Sequence, residues 1–334
     1  MRHRTWLALA ALTLTAGCGG TDDASPSKPS PSSEAAAVGG LIAPEEVEKA
    51  GGDRLAVAEA DWVRMVDDTP WMSLAGGTIL SLDPDTGAVA AQARIGGDSC
   101  TAMEVANGEL LAAVCSVPGK LALITPAAKP SVRLVDLGPI EVQPEGSVGA
   151  SPGAAWVVTG GVPKQLLRVD LGSNRVARRF PVAEGVVAVR FGLGGLWLTD
   201  ATRGALLRMN PATGKVLATI STGEGARFFD VGEGAVWVQN NTAGTVTRVD
   251  PATNQAVATI EVAPGPIMGG DLAVGGGFVW ARTSDVLVAK IDPATNRVVA
   301  RYGPARGSGS VAADENAAWI SAHDVDAVYR LPLS

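Results

Sequence analysis

Residues able to do acid–base or metal chemistry are few in this chain. It holds two histidines, His3 and His323, and three cysteines, Cys18, Cys100 and Cys115. Cys100 and Cys115 flank Asn107-Gly108, the dipeptide that most strongly signals a two-residue hairpin turn. Pairing about that turn joins residues whose numbers sum to 215, so Cys100 is expected directly opposite Cys115. Opposed strand residues lie about 4.5–5.5 Å apart at Cα, within disulfide reach. No histidine or third cysteine lies near in sequence, so a disulfide is favoured over a reactive or metal-binding pair. The other candidates are Trp62, Arg64, Glu104, Arg190, Phe228, Asp230 and Asp271. Arginine–carboxylate groups beside aromatic rings can bind a small polar ligand, but these residues are scattered and meet only if the fold gathers them.

The elements that would gather them come from a repeat. LWLTDATRGALLRMNPATGKVLATI (196–220) matches VWVQNNTAGTVTRVDPATNQAVATI (236–260), and VWARTSDVLVAKIDPATNRVVARY (279–302) follows. The anchors are Trp71, Leu111, Trp156, Trp197, Trp237, Trp280 and Trp319, spaced by 40, 45, 41, 40, 43 and 39 residues. Seven units of this period, each with four short alternating segments and no helical periodicity, predict an all-β, seven-bladed β-propeller with four-stranded antiparallel blades. In the fifth unit, 227–231, 235–239, 245–249 and 255–261 read as strands a to d. They are joined by Gly232-Glu233-Gly234, where glycine supplies positive φ, and by Asp250-Pro251-Ala252-Thr253-Asn254. The last unit ends on strand c at Tyr329-Arg330-Leu331, so a strand from Glu45–Val57 is expected to close the ring.

Alternation along strand a orients the candidates. Eight residues before each anchor stand Val63, Met103, Val148, Val189, Phe229, Leu272 and Val311, and six before are also apolar in every unit, so both positions face neighbouring blades. Seven before stand Arg64, Glu104, Gly149, Arg190, Asp230, Ala273 and Ala312; nine before stand Trp62, Ala102, Ser147, Ala188, Phe228, Asp271 and Ser310. These two sets are expected to line the central tunnel, with Arg64/Glu104 and Arg190/Asp230 as ion pairs between adjacent blades. Trp62, Phe228 and Asp271 would lie nearer a mouth that His323 also reaches. The cluster is either a small-molecule site or a set of neutralised structural pairs. The b–c and d–a loops, carrying His323, Asp324, Asp200, Arg203, Asn240 and Asn241, vary most between units, which makes theirs the expected binding face.

Outside the repeat, residues 1–17 read as a leader: Arg2-His3-Arg4, an apolar run from Trp6 to Thr15, then Ala16-Gly17 before Cys18. This resembles a bacterial lipobox, with Thr15 where leucine is usual, and implies acylation of Cys18. Residues 18–40 read as the lipidated cysteine and a Ser/Pro/Gly-rich flexible tether, and 41–334 as the propeller. The expected location is the extracytoplasmic face of the cell membrane, held by lipid. The formal net charge of −7 falls to −9 once Arg2 and Arg4 leave, so no nucleic-acid-binding surface is expected.

The repeats resemble YVTN-type propellers, a family of secreted or surface-attached bacterial proteins with the pattern apolar strand, GxG, VWV, VxRIDPATNxVVATI. The resemblance covers about residues 55–334 and implies the fold; the fold hosts binders, scaffolds and enzymes alike. A more distant resemblance is to virginiamycin B lyase-like propellers, which use paired histidines with metal-assisted acid–base chemistry. Here His3 leaves with the leader and His323 cannot fill two roles. Quinone binding, suggested by DPATGKV-like strands, is disfavoured by the seven-unit count and the lack of a vicinal cysteine pair. The favoured reading is a binding or interaction scaffold without cofactor or metal, for a small molecule, peptide, glycan or cell-envelope protein. The alternative is a lyase or hydrolase with its site at the tunnel mouth.

Overall fold

The computed structural model describes residues 37–38, 41–303 and 308–333. The leader, Cys18 and all of the expected tether except Ala37–Val38 lie outside the described residues, as does His3. Among those described, seven antiparallel sheets follow one another in chain order and form the seven blades of a propeller. The strands of blade 5 are Ala226–Gly232, Ala235–Asn240, Thr245–Asp250 and Gln255–Glu261, within a residue of the expectation.

The ring closes as the missing last strand requires. Asp53–Ala56 pairs antiparallel with Ala327–Pro332, from Asp53↔Arg330 to Ala56↔Ala327, and supplies strand d of blade 7. Upstream, Ala37–Val38 and Glu45–Glu46 run parallel to the outer strands of blades 5 and 6, so the chain straps two blade edges before it closes the third.

The repeat motif is a packing device. The six anchor tryptophans and Leu111 are all at most 3% exposed. Burying an indole removes roughly 150–250 Å² from water, on the order of 4–6 kcal/mol as an upper estimate. The strand-c cation lies over the ring: Arg208 over Trp197, Arg248 over Trp237 and Lys290 over Trp280, each at 5.1 Å. That contact adds only about 0.5–1 kcal/mol, but it aims the guanidinium at the next blade. Arg208 donates to Pro251 O (2.9 Å) and Asn254 Oδ1 (3.0 Å), and Arg248 to Pro293 O (2.7 Å) and Asn296 Oδ1 (2.9 Å). The DPATN turn of one blade is thus the receptor for the arginine of the blade before it.

One local expectation is refined and one is corrected. In the GxG turn of blade 5 the positive φ falls on Glu233 (50°) and Gly234 (70°), the pair a two-residue hairpin needs. The first glycine serves a close approach instead: a Cβ on Gly232 would meet Val274 of the next blade at 2.6 Å. The cysteine register is also altered. Met103–Ala106 pair with Glu109–Ala112 as the Asn107-Gly108 turn demands, but a bulge between Ser99 and Met103 makes Asp98, not Cys100, the ladder partner of Cys115. The bulge adds two residues to the first strand, and the two-residue turn does not reveal it. The Cys100–Cys115 disulfide forms nonetheless, across a Cα–Cα distance of 4.9 Å.

Candidate functional site

Strand a lines the axis in two tiers. All seven residues eight before the anchors are at most 1% exposed, so the apolar face packs between blades as expected. The residues nine before the anchors form the upper tier, on the side of the b–c and d–a loops. Here the expectation of an open mouth fails. Trp62 and Phe228 are each 2% exposed and their rings meet at 6.0 Å from blades on opposite sides of the axis. Ala102, Ser147, Ala188, Asp271 and Ser310 fill the rest of the tier and are buried too. Two large rings among small side chains stopper the tunnel on this face. Asp271 accepts from Ser310 Oγ at 2.7 Å within the stopper.

The charges lie one tier below, towards the GxG turns, and pair differently from the expectation. Arg64 meets Asp271 at 3.3 Å and Arg190 meets Glu104 at 3.2 Å. Each arginine reaches past one blade, over Gly149 in blade 3 or Ala312 in blade 7, whose small side chains leave the way open. Arg190 also donates to Val148 O (2.8 Å) and Val189 O (2.9 Å), which lays its guanidinium along backbone carbonyls. Asp230 is satisfied by main-chain donors, Val231 N at 2.9 Å and Val274 N at 2.8 Å. Burial still pushes its carboxyl above the usual carboxylate range, against the pull of Arg190 and Arg64. Five charges from blades 1, 2, 4, 5 and 6, tied to one another and to backbone, brace the ring.

The loop face has its polar side chains largely committed to its own shape. Asp200 accepts Arg203 N (3.1 Å) and pairs with its guanidinium (2.6 Å). Asn240 donates to Thr222 O (3.2 Å), Thr245 Oγ1 (3.0 Å) and Thr247 Oγ1 (2.9 Å), and Asn241 to Ile267 O (3.2 Å) and Gly269 O (2.9 Å). Asp324 accepts Ser308 N at 2.7 Å. Behind them Arg282 is fully buried, and desolvation draws its guanidinium down to about 10 despite Asp324, Asp271 and Asp61.

An accessible concavity lies off the axis, over blades 7, 1 and 2. It encloses about 380 Å³ and is lined by Glu59, Asp61, Leu74, Ala75, Gly76, Asp98, Ser99 and His323. Beside it Gly77 packs so closely on Gly97 O that any Cβ there would collide with it. Of the residues singled out in the sequence, only His323 lines this cleft; Trp62, Phe228 and Asp271 are sealed in the stopper and Arg64, Glu104, Arg190 and Asp230 lie beneath it. Asp61 is the perturbed carboxyl of this cleft. Burial raises its carboxyl to about 6, with Glu145 and Asp271 pushing the same way and His323 and Arg282 opposing. Asp61 was legible: ten residues before the anchors, the seven units place Asp61, Thr101, Gly146, Val187, Arg227, Gly270 and Gly309, and Asp61 is the one carboxylate among them. Glu59, in a turn, and Asp98, on the bulged start of its strand, carry no comparable signal, because neither position follows the repeat. Among the described residues no three His, Cys, Asp or Glu side chains converge as a metal site.

No protein-family model matches the sequence, and no curated protein is detectably similar to it. Solved structures do share the architecture. A streptogramin B lyase superimposes with a TM-score of 0.67 at 12% identity, over 85% of this chain and 97% of the other. The WD40 domain of Neurospora crassa Pan2 gives 0.63 at 11%, over 83% and 90%, and BamB from Moraxella catarrhalis gives 0.55 at 11%, over 81% and 84%. At such identities the likeness shows the fold alone, and the three names span different roles.

Proposed function

We propose that this protein is a membrane-anchored, extracytoplasmic propeller that acts as a binding or interaction scaffold, with the b–c and d–a loops as its working face. One observation carries the reading. The axis is stoppered on that face by Trp62 and Phe228, so a partner meets a braced outer surface that carries an off-axis acidic cleft. A preorganised face loses little freedom on association, which suits a docking platform. Three carboxylates in the cleft, Glu59, Asp61 and Asp98, favour a partner that presents a cationic group. Anchoring rests on the lipobox-like Ala16-Gly17-Cys18.

The test is site-directed photo-crosslinking in membranes of the producing cell. A crosslinker at Asp324, on the loop face, should capture a discrete partner, while one at Glu233, on the opposite turn face, should not. Equal capture from both sites, or capture from Glu233 alone, would remove the loop face from consideration.

A second reading is favoured by Asp61. A desolvated carboxyl titrating near 6 in a cleft shared with an imidazole is an arrangement that proton-transfer enzymes use. An enzyme of this kind would lose turnover in both Asp61→Asn and His323→Gln with its partner affinity unchanged, whereas a scaffold would lose affinity.

A further inference from the structure

The blades serve as controls for one another, and blade 3 departs from the rest at one cross-strand position. On the outermost strand pair, the residue facing the strand-c cation is Ala218 for Arg208, Ala258 for Arg248 and Ala300 for Lys290. In blade 1 Ser81 faces Ala91, in blade 2 Leu123 faces Arg133, and in blade 7 Arg330 faces Asp53 and pairs with it at 3.7 Å. In blade 3, whose outer strands are Gln165–Asp170 and Arg175–Pro181, Arg168 directly faces Arg178. Like charges directly opposed on one face of a sheet are destabilising.

The structure also shows why Arg168 is not drawn away. Arg208 and Arg248 are held by the next blade's turn through Asn254 and Asn296, but the corresponding residue of blade 4 is Gly214, which has no side-chain acceptor. Phe180 occupies that space: a Cβ on Gly214 would meet its ring at 2.3 Å. Phe180 also stacks on Trp156, with ring centroids 6.3 Å apart at 25°, where blades 4, 5 and 6 lay a cation over the anchor indole. Among the described residues no hydrogen bond or ion pair reaches the side chain of Arg168 or Arg178. Asp170, on whose carboxyl Arg168 acts, is engaged in its own turn with Ser173. Arg175 stands exposed on the same outer strand.

From this we infer that Arg168 and Arg178, flanked by Arg175, form a binding site for a phosphate group on the outer edge of blade 3. Directly opposed residues have Cβ atoms about 4.5–5.5 Å apart, so two guanidiniums can converge on one tetrahedral oxyanion. Planar N–H forks match phosphate oxygens, and a bridging anion turns the repulsion into two charge-assisted contacts. A charged edge strand can also serve simply to block edge-to-edge association. That purpose does not account for a second arginine on the facing strand, nor for its being found in one blade of seven. The phosphate can belong to a lipid headgroup or to a soluble ligand. This site is independent of the loop-face cleft and of acylation.

The experiment uses the full chain carrying Cys18→Ala, so that no acyl chain can bring it to a bilayer. Two probes are applied at low ionic strength: phosphatidylglycerol vesicles against phosphatidylcholine vesicles, and inorganic phosphate at matched ionic strength against chloride. Binding to at least one phosphate probe is expected, with a drop of tenfold or more in Arg168→Ala/Arg178→Ala and no more than twofold in Arg133→Ala, an exposed arginine of blade 2. Vesicle binding that phosphate competes away identifies a headgroup; phosphate binding without preference for the anionic vesicles identifies a soluble ligand. Arg178→Ala alone recreates the Arg–Ala pairing of blades 4 and 5, so it should bind poorly while melting at the parent temperature or above. Failure to bind either probe, or equal binding by the double variant, overturns the site.

Discussion

The rings of Trp62 and Phe228 meet at 6.0 Å across the propeller axis, each 2% exposed, and their contact closes the loop-side end of the tunnel. Replacing a buried aromatic by alanine leaves a cavity that the ring can only partly collapse into. Phe228→Ala is expected to lower stability by about 3–5 kcal/mol, read from the urea midpoint. A shift below 1 kcal/mol would mean that the stopper is loosely packed and the tunnel open.

Asp61 gives a pH signature of known sign. Its folded-state value of about 6 lies above the ordinary 3.8, so its contribution is fully present below pH 4 and is lost as pH rises through 6. Asp61→Asn should therefore match the parent at pH 4 and be more stable at pH 7. The gain should be on the order of 1–2 kcal/mol after allowance for solvent screening. Thermal melts of both proteins across that range check it; parallel pH profiles would contradict the assigned burial.

Cys100 and Cys115 should be unreactive to thiol reagents in the folded, non-reduced protein. Reduction should cost about 3 kcal/mol by loop-closure entropy. Two labelled thiols before reduction would rule out the bridge.

Closure of the ring rests on Asp53–Ala56. Deleting residues 19–40 removes the two-residue strap Ala37–Val38 from the edge of blade 5 but leaves blade 7 its fourth strand, so the loss of stability is expected to be small. Extending the deletion to residue 57 bares the edge of Ala327–Pro332 and should produce aggregation. Identical melting and light scattering of the two truncations would exclude the clasp as a stabilising element.

Cys18→Ala should move the protein from the membrane fraction to the soluble one, or leave its leader unprocessed. Normal processing with unchanged membrane retention would disprove lipid anchoring.

The sequence by itself determined the fold: the anchor period set the number of blades, strand alternation set which side chains pack between them, and the unfinished last unit set the need for a closing strand. These are local rules repeated seven times, and repetition makes them legible. It also pointed to the Cys100–Cys115 bridge, though by a register that a bulge between Ser99 and Met103 altered. Only the tertiary structure decided how the tunnel residues meet. Both aromatics were seen to face the axis, but closing the ring sets how far apart the blades stand there, and hence that Trp62 and Phe228 touch. The ion pairs skip a blade because Arg64 and Arg190 are longer than the gap left by Ala312 and Gly149, a distance across the ring that no sequence spacing contains. The cleft of Glu59, Asp61, Asp98 and His323 joins segments of blades 1 and 2 to a blade 7 residue more than two hundred positions away, placed together by ring closure alone.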